Sequence, residues 1–313
     1  MNDTGLELEV GRLRRVADEV LAVTLVDPGG APLPSWRPGA HIEVVLGGHA
    51  RHYSLCGDPA DQGAYRLGVL REPAGRGGSE YVHRVLEVGD HLVVGRPRNQ
   101  FPLLEADRYV FIAGGIGITP LLPMIGEVDR AGLPWRLVYG GRRLSAMAFV
   151  DELDRHGGRV LLCPQDEHGH PDLATAMDVV PGTRIYACGP EPLLDAVRGR
   201  GRLLEGSTVH IERFAPRADP SVAPATEFEL VCAESERTVT VRAEETMLDA
   251  MLRAGIDVNY DCRQGTCGTC EIDLLDGEAL HLDSVLGPDD PERSSLVFPC
   301  VSRAAGPRLV VDI

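Results

Sequence analysis

Four of the chain's eight cysteines, Cys262, Cys267, Cys270 and Cys300, follow the spacing C-x4-C-x2-C with a distant fourth member. No other feature limits the possible folds so strongly. Three thiols on one tight loop and a fourth arriving from elsewhere must converge on a shared centre. Four thiolates in that pattern suit two irons bridged by sulfides. A structural zinc site would more often show two short C-x2-4-C pairs. Gly265 and Gly268 let the loop bend closely and let peptide N–H groups point at the sulfurs. The alternative, thiols that are merely buried, describes Cys56 and Cys232 better.

Composition narrows the setting. The chain has 313 residues, room for one to three domains, and a formal net charge of −16. That charge disfavours nucleic acid and anionic membranes as partners. Every basic residue other than histidine is arginine, so no lysine nucleophile is available. No charged leader precedes an apolar run, and no stretch approaches the roughly 18 apolar residues of a membrane span. The expectation is a cytoplasmic, soluble protein whose clustered cysteines are metal ligands rather than disulfides.

Three segments can be read along the chain. Residues 1–104 carry short strand-like runs, Leu6–Val10, Val20–Val26, His41–Leu46, Tyr65–Val69 and His91–Val94, divided by Gly/Pro/Asp turns. They predict an antiparallel β-barrel with one helix, Gly78–Leu86. Residues 105–215 alternate continuous apolar strands with helices at Pro120–Ala131, Ala146–His156 and Glu191–Arg198. This predicts a parallel α/β sheet with its site beyond the strands' C-terminal ends. Residues 216–226, Pro- and Ala-rich, read as a linker. Residues 227–313 read as a small α+β domain: a hairpin, a helix at Met247–Ala254, the cysteine loop, and strands at Glu271–Leu275 and Arg308–Ile313.

Further patterns carry possible chemistry. Arg51-His52-Tyr53-Ser54 offers a cation and an aromatic ring on one strand face, with a hydroxyl beside them. Such a pair also occurs on ordinary solvated strands. Gly75-Arg76-Gly77-Gly78-Ser79 opens the first helix and suits an anion, or is only a flexible turn. Ala113-Gly114-Gly115-Ile116-Gly117-Ile118-Thr119-Pro120 follows the first parallel strand. Its glycines permit close approach of a ligand, Thr119 could cap the following helix, and Pro120 suits its first turn. Cys188-Gly189-Pro190 follows a later strand that would face the same crevice. Gly140-Gly141-Arg142-Arg143 follows the second parallel strand, and its two arginines could grip a ribose 2'-phosphate.

On these motifs the whole chain resembles the phthalate dioxygenase reductase family, which includes vanillate demethylase reductases. Residues 227–313 resemble a plant-type [2Fe-2S] ferredoxin. The resemblance implies a flavin-binding β-barrel, an NAD-binding α/β domain and a C-terminal β-grasp ferredoxin. It assigns Arg51, Tyr53 and Ser54 to the flavin ring, with the Ser54 hydroxyl near the reactive nitrogen. Arg76, Gly77, Gly78 and Ser79 would cradle the phosphate of FMN, and Phe214 would lie near the flavin, unless it is a core residue at the domain edge. Gly114, Gly115, Gly117, Thr119, Pro120, Gly189 and Pro190 would line the nicotinamide site. Cys188 would position the nicotinamide without acting as a nucleophile. Arg142 leaves NADPH open, with NADH preferred. Cys262, Cys267, Cys270 and Cys300 would bind the cluster. His52, His168 and His170 need no catalytic role. The implied activity is NADH-dependent electron transfer through FMN and a [2Fe-2S] cluster to a terminal oxygenase. A Rieske-type oxygenase is expected first, and a haem-thiolate cytochrome second. A redox sensor that does not oxidise NADH is the rival reading. A monomer is the simplest expectation. The segment 227–313 holds 18 Asp and Glu against 7 Arg, a net of −11, and so carries most of the excess negative charge.

Overall fold

The computed structural model describes residues 5–73, 75, 77–214, 226–287 and 290–313. Almost all of the expected linker, and Arg76, lie outside the described residues. The chain forms two compact units, Met1–Glu212 and Arg213–Ile313.

The first unit begins with antiparallel strands β1 (Leu6–Ala17), β2 (Val20–Val26), β3 (Ala40–Leu46), β4 (His49–Ser54), β5 (Tyr65–Leu70), β6 (His91–Val94) and β7 (Arg98–Asn99). Their order is β4-β3-β6-β1-β2-β5, with β7 paired to β3. Period-2 alternation sends one set of side chains inward. In β3, Ile42, Val44 and Leu46 are buried, whereas Glu43 is exposed. They join Leu8, Val10, Leu25, Leu67 and Val94 in one core. Each such side chain contributes about 1.5–3 kcal/mol by leaving water. The two edge strands meet through one bridge, Leu55–Leu67, just past β4. Gly47 and Gly48 turn the chain, and Arg51–Ser54 belongs to β4, a strand of its own paired along β3. Helix α1 spans Gly78–Arg84.

The same unit contains a fully parallel sheet: β8 (Arg108–Gly114), β9 (Trp135–Gly141), β10 (Val160–Pro164), β11 (Thr183–Cys188) and β12 (Thr208–Glu212). The order β10-β9-β8-β11-β12 places a topological switch between β8 and β11. Both faces are covered. Tyr109, Phe111 and Ala113 pack on one side with helix α2 (Leu121–Arg130), and Val110 and Ile112 on the other. Double coverage explains why these strands read as continuous apolar runs. The helix expected over Ala146–His156 is broken. Phe149 adopts φ 61° and Gly157 φ 54°, so only a short α3 (Val150–Leu153) flanked by 3-10 turns remains. Two further short helices, α4 (Gln165–His168) and α5 (Leu173–Ala176), precede β11, and α6 (Glu191–Gly201) follows it.

In the second unit, β13 (Phe228–Cys232), β14 (Arg237–Val241), β15 (Ile272–Asp276), β17 (Leu296–Val297) and β19 (Arg308–Val311) form a mixed sheet ordered β14-β13-β19-β15-β17. Only β13 and β19 are parallel. A small pair, β16 (Ala279–Leu280) and β18 (Arg303–Ala304), completes it. Helix α7 (Met247–Arg253) starts at Thr246, whose Oγ1 accepts from the Asp249 N–H at 3.0 Å. Its Met247, Leu248, Ala250 and Met251 are buried against the sheet.

Within the first unit the antiparallel and parallel sheets are tied by buried-edge charge. Arg66 of β5 forks onto both Glu152 carboxylate oxygens at 2.8 and 2.9 Å, while Arg14 of β1 reaches Glu152 Oε1 at 2.9 Å. Bidentate geometry and partial burial make this stronger than an ordinary surface pair. Replacing Glu152 with Ala leaves two guanidinium groups short of an acceptor. The expected loss is about 1–3 kcal/mol of stability in the first unit, read as a lower urea midpoint.

Candidate functional site

The cysteine loop behaves as its spacing requires. Cys270 and Cys300 are buried and Cys262 and Cys267 half-buried. The four thiols act directly on one another: Cys262 pairs with Cys267 and Cys300, and Cys270 with Cys300. Backbone N–H groups of Gln264 and Thr266 donate to Cys262 Sγ at 3.3 and 3.4 Å. The thiols of Cys267 and Cys300, and then those N–H bonds, hold Cys262 far below the usual thiol range, while Cys267 and Cys300 are pushed far up. Cys270 is shifted down as well, by Cys300, so the four thiols split into two that favour charge and two that resist it. Cations between the sulfurs would let all four ionise, so this donor set fits an iron–sulfur cluster. Gly265 makes the loop possible: its φ is +68°, and a Cβ there would stand 2.5 Å from Val301 Cγ2.

At the switch point of the parallel sheet the two glycine-rich loops come together. Cys188 is in register with Ala113 across β11 and β8. A Cβ on Gly117 would fall 2.2 Å from the Cys188 carbonyl oxygen and 2.7 Å from Gly189 N. No other residue type allows that approach. Gly115 and Gly117 form a 3-10 turn after β8, and Pro120 precedes α2. Thr119 does not cap the helix as expected. It is already helical, and its Oγ1 donates back to the Ile116 carbonyl at 2.9 Å. Cys188 is fully buried, and burial, then the nearby Glu212 carboxylate, raises its thiol well above the ordinary value. A thiol raised in this way is disfavoured as a thiolate. A cavity of 630 Å³, lined by Glu105, Asp107, Arg184 and Thr208 among others, opens at the opposite, N-terminal edge of the sheet.

On the antiparallel sheet, Arg51 and Tyr53 lie half-buried and Ser54 is buried. Burial pushes the Tyr53 phenol up to about 12, so its ring remains a neutral packing surface. A Cβ on Gly78 would lie 2.8 Å from Arg51 Cγ, so Arg51 sits against the onset of α1. Gly77 supplies the left-handed turn there (φ 87°), and the Ser79 hydroxyl accepts from Glu72 N at 3.1 Å. Phe214 is 45% exposed. Arg143 is committed to Asp18 and Ser145, at 2.9 and 3.1 Å; Arg142 is exposed.

One residue of this region was not singled out from sequence. Glu212 ends β12 in register with Cys188. Its Oε2 is buried with no hydrogen-bond partner among the described residues. Burial raises its carboxyl to about 7, with His41 pulling the other way. Sequence offered only a single acid near the end of the second segment. Because its folded value lies above the ordinary 4.5, folding favours the protonated form. That stability is complete below 4.5 and fades as pH rises through 7. Glu212→Gln should flatten this part of the stability–pH curve relative to the parent, in urea melts between pH 4.5 and 8. Parallel curves would refute the burial.

A 2Fe-2S iron-sulfur cluster binding domain matches residues 231–305. The phenoxybenzoate dioxygenase subunit beta of Ectopseudomonas oleovorans is 40% identical over 315 residues, covering 98% of this chain and 97% of its own length. The solved phthalate dioxygenase reductase, described as a modular structure for electron transfer from pyridine nucleotides to [2Fe-2S], superposes with a TM-score of 0.73 at 35% identity, covering 99% of this chain and 98% of that one. An intact type IV self-sufficient cytochrome P450 monooxygenase superposes with a TM-score of 0.83 at 41% identity, over 99% of this chain and 41% of that one. This chain thus spans about two fifths of that cytochrome. No described helix is long and apolar enough to cross a membrane. The chain belongs to the phthalate dioxygenase reductase family of flavin and iron–sulfur oxidoreductases, and its C-terminal unit is a 2Fe-2S ferredoxin domain.

Proposed function

We propose that this redox enzyme takes a hydride from NADH and delivers the electrons singly to a partner oxygenase. The observation that carries the reading is the convergence of four cysteine sulfurs in one unit of a chain whose other unit brings two glycine-rich loops together at a sheet's switch point. A bound flavin supplies the two-electron to one-electron conversion, and a [2Fe-2S] cluster the single-electron exit. The chain's own contribution is placement. Gly114, Gly115, Gly117, Thr119, Pro120, Gly189 and Pro190 would seat the nicotinamide, with the Cys188 thiol beneath it. Tyr53 and Ser54 would orient the flavin ring. Arg51, with Arg76, Gly77, Gly78 and Ser79, would hold its phosphate. Cys262, Cys267, Cys270 and Cys300 would ligate the irons.

The finer choices follow from particular contacts. FMN is favoured because Arg51 lies against the glycine-rich onset of α1, a compact seat for one phosphate. NADH is favoured over NADPH because Arg143 is taken by Asp18, leaving Arg142 alone at that strand end. For the acceptor, the 41% identity to a self-sufficient P450 over nearly all of this chain supports a haem-thiolate cytochrome, ahead of the Rieske-type oxygenase expected first from sequence. The full-length likeness to a dioxygenase subunit supports the latter as a second reading. Either acceptor would meet a ferredoxin segment of net charge −11, and added salt should slow that encounter.

Anaerobic NADH should bleach both flavin and iron–sulfur absorbance, and NADPH should be at least tenfold less effective. Heat-released flavin should run as FMN on chromatography. Flavin that runs as FAD, or equal rates with the two nucleotides, would correct those choices. Cys300→Ala should lose the cluster and delivery to either oxygenase, while NADH-driven reduction of an artificial dye continues. Two irons per chain persisting in that variant would sink the ligand assignment.

A further inference from the structure

His281 and Asp283 form a buried pair in the ferredoxin unit, at 8% and 5% exposure. No motif read from the sequence includes them. His281 Nδ1 faces Asp283 Oδ1 at 3.1 Å, and Nε2 faces the Arg293 carbonyl oxygen at 2.8 Å. Asp283 Oδ2 accepts from the N–H groups of Val285 and Leu286, at 3.2 and 2.9 Å.

The proton count follows from these contacts. A carbonyl oxygen only accepts, so Nε2 carries a hydrogen. The contact between Nδ1 and Oδ1 also needs a hydrogen, since two bare acceptors 3.1 Å apart in a buried site repel. Two protons thus reside on the pair, against one for a neutral imidazole beside a free carboxylate.

The location gives that count a consequence. The Ser284 N–H donates to the Gly265 carbonyl in the cysteine loop at 2.7 Å. A Cβ on Gly265 would fall 3.0 Å from Asp283 Cα, and one on Gly268 3.6 Å from Val285 Cγ1. The segment 283–285 therefore walls the loop that carries Cys262, Cys267 and Cys270. Through the Arg293 carbonyl, His281 also ties this wall to the stretch leading to Cys300.

We propose that His281 and Asp283 are positioning residues for the iron–sulfur centre, a two-proton, net-neutral brace that keeps an uncompensated carboxylate charge out of the wall of the cysteine loop. This rests on the cluster reading above. Net charge near an iron–sulfur centre is one of the determinants of its reduction potential. A neutral brace therefore keeps the potential less negative than a lone carboxylate would.

The test is the midpoint potential of the purified full-length protein, with iron content and the EPR spectrum of the reduced form as controls. His281→Gln keeps a side-chain donor but leaves Asp283 charged. Its potential should move to a more negative value while iron content and EPR spectrum match the parent. Asp283→Asn leaves a neutral pair, so its potential should stay near the parent's. If the native pair held only one proton, the pattern would invert: His281→Gln would leave the potential unchanged and Asp283→Asn would raise it. That inversion overturns the proposal. Should His281→Gln fail to load iron, Asp283→Asn decides alone, since only the one-proton pair predicts a rise. Parent protein without iron would instead overturn the cluster reading, and the brace with it.

Discussion

Four sulfurs close enough to act on one another cannot all ionise without cations among them. Much of the ferredoxin unit answers that single constraint. The loop needs a left-handed backbone at Gly265 and Gly268 to bring three cysteines round one point. Peptide N–H groups then face Cys262 Sγ and lower the cost of its charge. The wall behind the loop has to carry polar groups of its own, and it does so with every described bond satisfied: Ser284 N to Gly265, Asp283 to two backbone N–H groups, His281 to Asp283 and Arg293. A wall with one unsatisfied acceptor would cost more than an apolar one.

The first unit solves a different problem, that of bringing backbone close to backbone. At the switch point Gly117 lies against the Cys188 carbonyl and Gly189, so the two loops form one rim. The antiparallel sheet is joined to this rim. A Cβ on Gly68 of β5 would fall 2.7 Å from Thr119 Cγ2, and Arg66 next to it in β5 is anchored on Glu152. Any group seated on Tyr53 and Ser54 is thus referenced through short, stiff contacts to any group seated on the glycine rim. For hydride transfer this is what the protein must supply, since no acid or base is required.

Much of this was legible in sequence, for physical reasons. The parallel strands announced themselves because both faces are buried. The cysteine loop and glycine loops did so because only those residue types meet their constraints. Edge strand β12 was missed because Thr208–Glu212 is only half-buried throughout, with polar residues at alternate positions. The break in Ala146–His156 was missed because it depends on Phe149 holding a left-handed conformation, which tertiary contact imposes and local propensity does not forecast. Thr119 looked like a cap because its type and place fitted. The chain, however, had already turned helical at that residue. Glu212 and the His281–Asp283 pair were invisible because their roles lie in who faces them across the fold, not in neighbours along the chain.

The eight cysteines show how far environment outweighs residue type. Cys56 is raised to about 11, Cys163 and Cys232 are raised as well, and burial is the leading cause in all three. Cys188 adds a carboxylate to its burial and is raised too. These four stay protonated and serve as small apolar groups. The charge of half-buried Cys262 is favoured, because the thiols of Cys267 and Cys300 and then two N–H groups point at its sulfur. The same atom is held neutral at the glycine rim and drawn towards charge in the ferredoxin loop. That division is functional: a thiolate at the rim would add negative charge beside Glu212, already short of a partner, and a neutral thiol in the loop would bind no iron. Hydrogen-bond donors aimed at sulfur, more than exposure, decide which cysteines carry charge in this chain.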